Sequence, residues 1–240
     1  MTRIRLRHGP WHWPLLFLIL SAACVGARAE LEEDGQLWLG LTTIGRWPAG
    51  TPEQPSRLRY WLEGQVRFDD DASRHQQHIL RPGLGYDLNP RLAVWAGYAW
   101  IGTDPLRSRS FGEHRPWQQL TWAPAQTLAG FALSSRSRLE QRLVEDSGDT
   151  GWRLRQLFRG QRPLRGPWSL VLQDEVFVNF NDTDAGAASG FDQNRLFAGF
   201  AWQFAPAARA EVGYLNQFIG RPARDDRMHH VLSLGIVLTP

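Results

Sequence analysis

Residues 57–68 read Arg-Leu-Arg-Tyr-Trp-Leu-Glu-Gly-Gln-Val-Arg-Phe. Side chains on a strand alternate between two faces. Leu58, Tyr60, Leu62, Val66 and Phe68 therefore share one face, and Arg57, Arg59, Glu63, Gln65 and Arg67 share the other. One face is greasy and one is charged. On the charged face, exchanging Glu63 for another polar residue is expected to be tolerated. The same period of two runs through about 77–88, 91–101, 113–122, 128–144, 151–164, 168–180, 192–204, 209–219 and 227–238. A weaker stretch, 36–44, carries Leu37, Leu39 and Leu41. Trp47 to Pro55 is rich in Pro and Gly and reads as a loop. No helix of ordinary length is visible beyond the first thirty residues.

Alternation alone does not say which face is wet. Three features choose a greasy exterior. Short connections (Asn89-Pro90, Ala123 to Thr127, Arg165 to Pro167, Ala205 to Ala208) alternate with longer ones (69–76, 102–112, 145–150, 181–191, 220–226). Outer-membrane barrels alternate periplasmic turns with extracellular loops in the same way. Aromatic residues flank both sets: Tyr86, Trp122, Trp168 and Phe204 beside the short turns, and Trp100, Trp152, Phe180 and Phe191 beside the long ones. Such placement resembles two interfacial girdles. The third feature is the start of the chain. Arg3, Arg5 and Arg7 precede an apolar run from Trp13 to Val25, and Ala27-Arg28-Ala29 precedes Glu30. This is the layout of a secretory signal peptide cleaved between Ala29 and Glu30.

The expectation is an all-β chain. Residues 1–29 are the leader and 30–240 form an antiparallel up-and-down transmembrane β-barrel of about 10–12 strands in the bacterial outer membrane. Ten strands satisfy the even count of bacterial barrels; taking 36–44 as an eleventh would break it. The expected partners are outer-membrane lipid, lipopolysaccharide and the barrel-assembly machinery. The whole chain carries 27 basic and 24 acidic residues, a net +3. Removing the leader's four arginines leaves 23 basic residues against 24 acidic ones, so basicity gives no argument for a nucleic-acid partner. The single cysteine, Cys24, lies in the leader, so the mature chain has no disulfide. Lipidation at Cys24 is the competing reading of that segment.

Charge concentrates on the inward faces. Arg136, Arg138, Glu140 and Arg142 share one face of a strand, Arg153 and Arg155 share a face of the next with Arg159, and Glu175, Arg195 and Glu211 follow on later strands. Arg136, Arg138, Arg142, Arg153 and Arg155 are expected to project inward and pair with Glu140, Glu175 and Glu211. Two readings are open: an anion-preferring pore, or a lumen packed shut by ion pairs. A barrel of about eight strands is filled by its own side chains, whereas 16 to 18 leave a channel. His114, His229 and His230 with Ser134, Ser135 or Ser137 supply two members of a nucleophilic site, but no motif joins them. An outer-leaflet lipid-modifying enzyme is thus a third alternative to an envelope-maintaining barrel and a narrow channel. Nothing in the sequence specifies a cofactor or a metal-ligand set. Each long connection carries acids; they read as solvated loops ahead of a divalent-cation site.

The stretches Arg81–Tyr86 (RPGLGY), Glu113–Leu120 (EHRPWQQL), Ser135–Arg142 (SRSRLEQR), Gly151–Arg155 (GWRLR), Asp192–Gly199 (DQNRLFAG) and Gly213–Gln217 (GYLNQ) carry a family likeness. Through them the chain resembles the proteobacterial proteins grouped as domain of unknown function 2490, which are taken to be outer-membrane barrels. The resemblance implies the barrel fold and carries no activity.

Overall fold

A computed structural model describes residues 31–49, 51, 55–106, 108–222 and 225–240; the leader, with Cys24 and the Ala29–Glu30 cleavage site, lies outside them. The described residues form strands and connections with no helix. In chain order the strands are β1 (Glu32–Arg46), β2 (Leu58–Asp69), β3 (Arg74–Asn89), β4 (Leu92–Thr103), β5 (Phe111–Trp122), β6 (Thr127–Leu128), β7 (Phe131–Val144), β8 (Thr150–Pro163), β9 (Trp168–Asn179), β10 (Gly190–Ala205), β11 (Ala208–Ile219) and β12 (Arg227–Leu238). β6 only clips onto the start of β7. The other strands join neighbour to neighbour, and β5–β7 pairing together with β1–β12 pairing closes the sheet into a barrel. Among the described residues its wall has eleven strands.

Eleven falls within the expected 10–12 and departs only from the even parity, and geometry explains how. A ring in which every neighbour is antiparallel needs an even count, so an odd ring must contain one parallel pair. That pair is β1 with β12, in register from Glu32↔Arg227 to Thr43↔Leu238. The barrel is therefore antiparallel everywhere except at this seam. The weak 36–44 stretch is the core of a full strand of 15 residues. Its two faces differ little in polarity, because Gly35, Gly40 and Gly45 interrupt them and the inward residues mix Gln36 with Trp38 and Ile44. That low contrast is why the sequence undersells it.

The connections sort to two rims. The turn rim holds the described residues of 47–57, with 90–91, 164–167, 206–207, the segment through β6, and the end of β12. The loop rim holds 70–73, 145–149, 180–189, the described residues of 104–110 and 220–226, and the start of β1. The regular short–long alternation expected from sequence is thus imperfect. Strand pairing shortens the 69–76 connection to the four residues Asp70–Ser73, and the Pro/Gly-rich segment makes one long link on the turn rim.

Faces follow the period of two. Leu62, Leu80, Leu84, Leu172, Leu196, Phe200 and Leu232 are exposed on the outside, as are Trp100, Trp122, Trp152 and Trp168 near the rims. Inside, Trp61, Ile79, Trp95, Ile101 and Trp117 form a buried cluster beneath β2–β5. Glycine makes room for it: a Cβ on Gly83 or Gly97 would run into the Trp117 ring, and one on Gly85 into Trp95. The indoles also find acceptors, Trp61 Nε1 donating to Glu63 at 3.0 Å and Trp95 Nε1 to Thr121 at 3.0 Å.

Candidate functional site

The buried charges occupy alternate positions on β5, β7, β8 and β9. On β5 the inward side chains are Glu113, Arg115, Trp117 and Gln119, and on β7 they are Arg136, Arg138, Glu140 and Arg142. β8 adds Arg153, Arg155 and Arg159, β9 adds Glu175 and Phe177, and β10 adds Arg195. Because sheet register sets these strands side by side, their charges meet across the interior.

Glu140 lies at the centre, 0% exposed. It accepts from Arg153 Nη2 at 2.8 Å, Arg155 Nη1 at 2.8 Å and Arg115 Nη1 at 3.4 Å. Arg155 also reaches Glu175 at 2.9 Å, which Arg136 meets at 2.8 Å. Glu113 takes Arg115 and Arg142, each at 2.8 Å, and Arg153 reaches Asp192 at 2.9 Å. One continuous network thus runs from Arg142 through Glu113, Arg115, Glu140, Arg155 and Glu175 to Arg136. Glu211 belongs to a separate pair nearer the turn rim, held by Arg159 at 2.7 Å and Arg209 at 2.8 Å.

The expected pairing is met only in part. Arg136, Arg153 and Arg155 do meet Glu140 or Glu175. Arg142 instead pairs with Glu113, and Glu211 pairs with Arg159 and Arg209. Among the described residues Arg138 meets no carboxylate: its Nε donates to Gln119 at 2.8 Å, and its guanidinium lies 4.4 Å from the Trp117 ring and 5.6 Å from Trp61. Both terminal nitrogens of Arg138 are buried without a hydrogen-bond acceptor among the described residues. Arg195 also lies over rings, 4.8 Å from Trp38 and 4.7 Å from Phe177. Rings offer a cation their negative faces, a weaker partner than a carboxylate.

Several inward charges were missed by sequence reasoning, namely Glu113, Arg115, Arg81 and Asp192, while Arg67 reads only as part of a charged face. The spacing Glu113-x-Arg115-x-Trp117-x-Gln119 is the same alternation already read on β7, so the signal was present. Glu63 needs a correction. It is buried and pairs with Arg81 at 2.5 Å across the register Glu63↔Arg81, so it is not a site tolerant of polar exchange. The histidines and serines are not brought together. His114 bonds Tyr98, His230 bonds Tyr214 at 2.6 Å, His229 meets Gln217 at 3.2 Å, and Ser137 donates to Gln156 at 2.5 Å.

The interior is uneven along its length. Toward the loop rim the network and its aromatic neighbours fill it. Toward the turn rim a cavity of about 570 Å³ opens, with Asn89, Pro90, Arg91 and Ala123 at its mouth and Arg67, Arg155, Glu175 and Arg195 among its deeper residues. On the loop rim, Asp182 and Asp184 act as hydrogen-bond acceptors. Asp182 takes the Ser189 N–H at 2.6 Å, and Asp184 takes the Gly148 N–H at 2.9 Å and the Ser147 hydroxyl. These bonds hold both carboxyls below the ordinary aspartate range, the backbone N–H of Ser189 acting on Asp182 and the Ser147 hydroxyl, then Gly148, on Asp184. Among the described residues no group of three or more His, Cys, Asp or Glu is placed to hold a metal ion.

An all-β barrel with an apolar exterior and a charged, partly filled interior is the class this fold defines. Residues 35–229 match the family described as protein of unknown function, DUF2490, and the chain belongs to that family. It is also similar to an uncharacterised protein of Methylorubrum extorquens, 35% identical over 230 residues that cover 94% of this chain and 97% of the relative. No solved structure matches.

Proposed function

We propose that this chain is an outer-membrane barrel with a structural, envelope-maintaining role, closed to ion flow by its buried Arg–Glu network. One observation carries the membrane reading: the large apolar side chains are on the outside and the charges are buried within. A barrel folded in water would have the reverse arrangement, since an exposed apolar surface of this extent marks a membrane or partner. In bilayer, that exterior meets lipid and lipopolysaccharide, and insertion of such a wall falls to the barrel-assembly machinery. Closure rests on Arg138 and Glu140, both 0% exposed at mid-barrel, and on the pairs around them. Paired side chains reaching inward from facing strands leave no path for hydrated ions.

Fractionation and planar-bilayer recording test this together. The mature chain is expected in the outer-membrane fraction, and the purified barrel is expected to give no steady conductance. Recovery from soluble periplasm would remove the membrane reading. Steady anion-selective conductance would replace the closed barrel with a narrow channel.

A further inference from the structure

The turn-rim cavity has more cation than its walls can balance. Among the described residues lining it are nine arginines and four carboxylates, Glu63, Asp87, Glu175 and Glu211. Two of the arginines stand out. Arg67 is buried and, among the described residues, donates only to amide oxygens, Gln65 at 2.8 Å and Gln77 at 3.0 Å. Arg195 makes no hydrogen bond or ion pair with any described residue. Both guanidiniums lie against the same ring, 3.8 Å and 4.8 Å from the Trp38 centroid. The Nε atoms of both are buried and unpartnered. Arg67 is buried and Arg195 half-buried, and among the described residues neither has a carboxylate within ion-pair distance, although Glu175 is the cross-strand neighbour of Arg195; a charge held away from water without a paired partner is costly. Both arginines line the same cavity, so an anion in it within reach of their terminal nitrogens would supply the missing partner through charge-assisted hydrogen bonds. The rest of the wall is of another kind, with Trp61, Trp95 and Phe197 facing the same space. A volume of about 570 Å³ lies within the range of small-molecule sites.

We propose that this cavity is a binding site for an organic anion, its phosphate or carboxylate held by Arg67 and Arg195 and its apolar body lying against Trp61 and Trp95. The mouth of the cavity lies at the turn rim, beside Asn89, Pro90, Arg91 and Ala123. The proposal concerns the folded barrel alone and stands whether or not that barrel lies in a membrane.

Isothermal titration of the purified full-length mature barrel in detergent, with protein-free micelle blanks, tests it with four probes: 1-naphthyl phosphate, 1-naphthoate, 1-naphthol and inorganic phosphate. At least one naphthyl anion is expected to bind saturably at one site, at least tenfold tighter than naphthol or inorganic phosphate. Which anion is tighter identifies the acidic group. Arg195→Gln and Arg67→Gln are each expected to weaken binding at least tenfold, while Arg165→Gln, on a turn outside the cavity, leaves it unchanged. Heat-modifiable gel mobility reports folding of each variant. Arg195→Gln removes no hydrogen bond, and the wild-type comparison of anion with naphthol decides the matter even if Arg67→Gln does not fold. Absence of saturable anion binding, naphthol binding as tight as that of the anions, or folded variants that bind like wild type would overturn the proposal.

Discussion

The two halves of the barrel interior are built from the same residue types and end in different states. Toward the loop rim, each of Arg115, Arg142, Arg153 and Arg155 meets at least one carboxylate, and Glu140 alone serves three of them. Toward the turn rim, cations outnumber acids and a cavity remains. Arginine content therefore does not determine whether a barrel is shut; the stoichiometry of its carboxylates and the reach of facing side chains do. A balanced ring of charges can collapse into mutual contact. An unbalanced one holds itself apart.

The largest effect expected from this contrast is that of Glu140→Gln. It leaves Arg115, Arg153 and Arg155 short of a buried partner, and removing one side of a buried pair costs about 3–5 kcal/mol. The urea midpoint of unfolding, followed by tryptophan fluorescence, should fall clearly while conductance stays near zero. The matching change in the open half, Glu211→Gln, should cost far less. Arg159 and Arg209 are 17% and 26% exposed, against 6% and 7% for Arg153 and Arg155, so loss of Glu211 leaves less deeply buried charge behind. Equal shifts in the two variants would break the distinction between the halves.

A smaller effect sharpens it at the loop rim, where Asp184 ties the 180–189 connection to Ser147 and Gly148. Its carboxyl is held below the ordinary range, so the charged form is favoured in the folded state. The bonds are then fully present above the unfolded aspartate pKa, about 3.9, and are lost as pH falls through the lower folded value. Hydrogen-exchange protection of the Gly148 amide should be higher in wild type than in Asp184→Asn at neutral pH. That difference should persist down to about pH 4 and disappear below the folded pKa, with the urea midpoint unmoved by the substitution.

Which face of each strand is greasy was legible from sequence, because alternation is a binary signal and a strand such as 57–68 states it at nearly every position. Counting the strands was harder. Gly35, Gly40 and Gly45 remove the contrast on β1, and a parity rule that fits antiparallel rings then argued against it. Inward projection of Arg136, Arg138 and Arg142 could be read from one strand. Their partners could not, because Glu113↔Val144 register on one side of β7 and Arg138↔Arg155 on the other decide who meets whom. The Arg67–Trp38–Arg195 arrangement draws on β2, β1 and β10, and no local pattern announces a contact among three strands so far apart in the chain.

The parallel seam has a kinetic side. Every other wall pairing joins strands that follow one another in the chain, β6 aside, so it can form as a hairpin or meander grows. β1 and β12 pair residues such as Glu32 and Arg227, 195 positions apart. Contacts of that separation carry the largest loop-closure cost and form slowly, and parallel ladders are slightly weaker per residue than antiparallel ones. Seam closure is thus the natural last step of folding. Until it happens, the nascent sheet presents two unpaired edges, each able to recruit another chain. A protein built this way has its period of greatest vulnerability to self-association at the end of assembly, when nearly all of its wall is already in place.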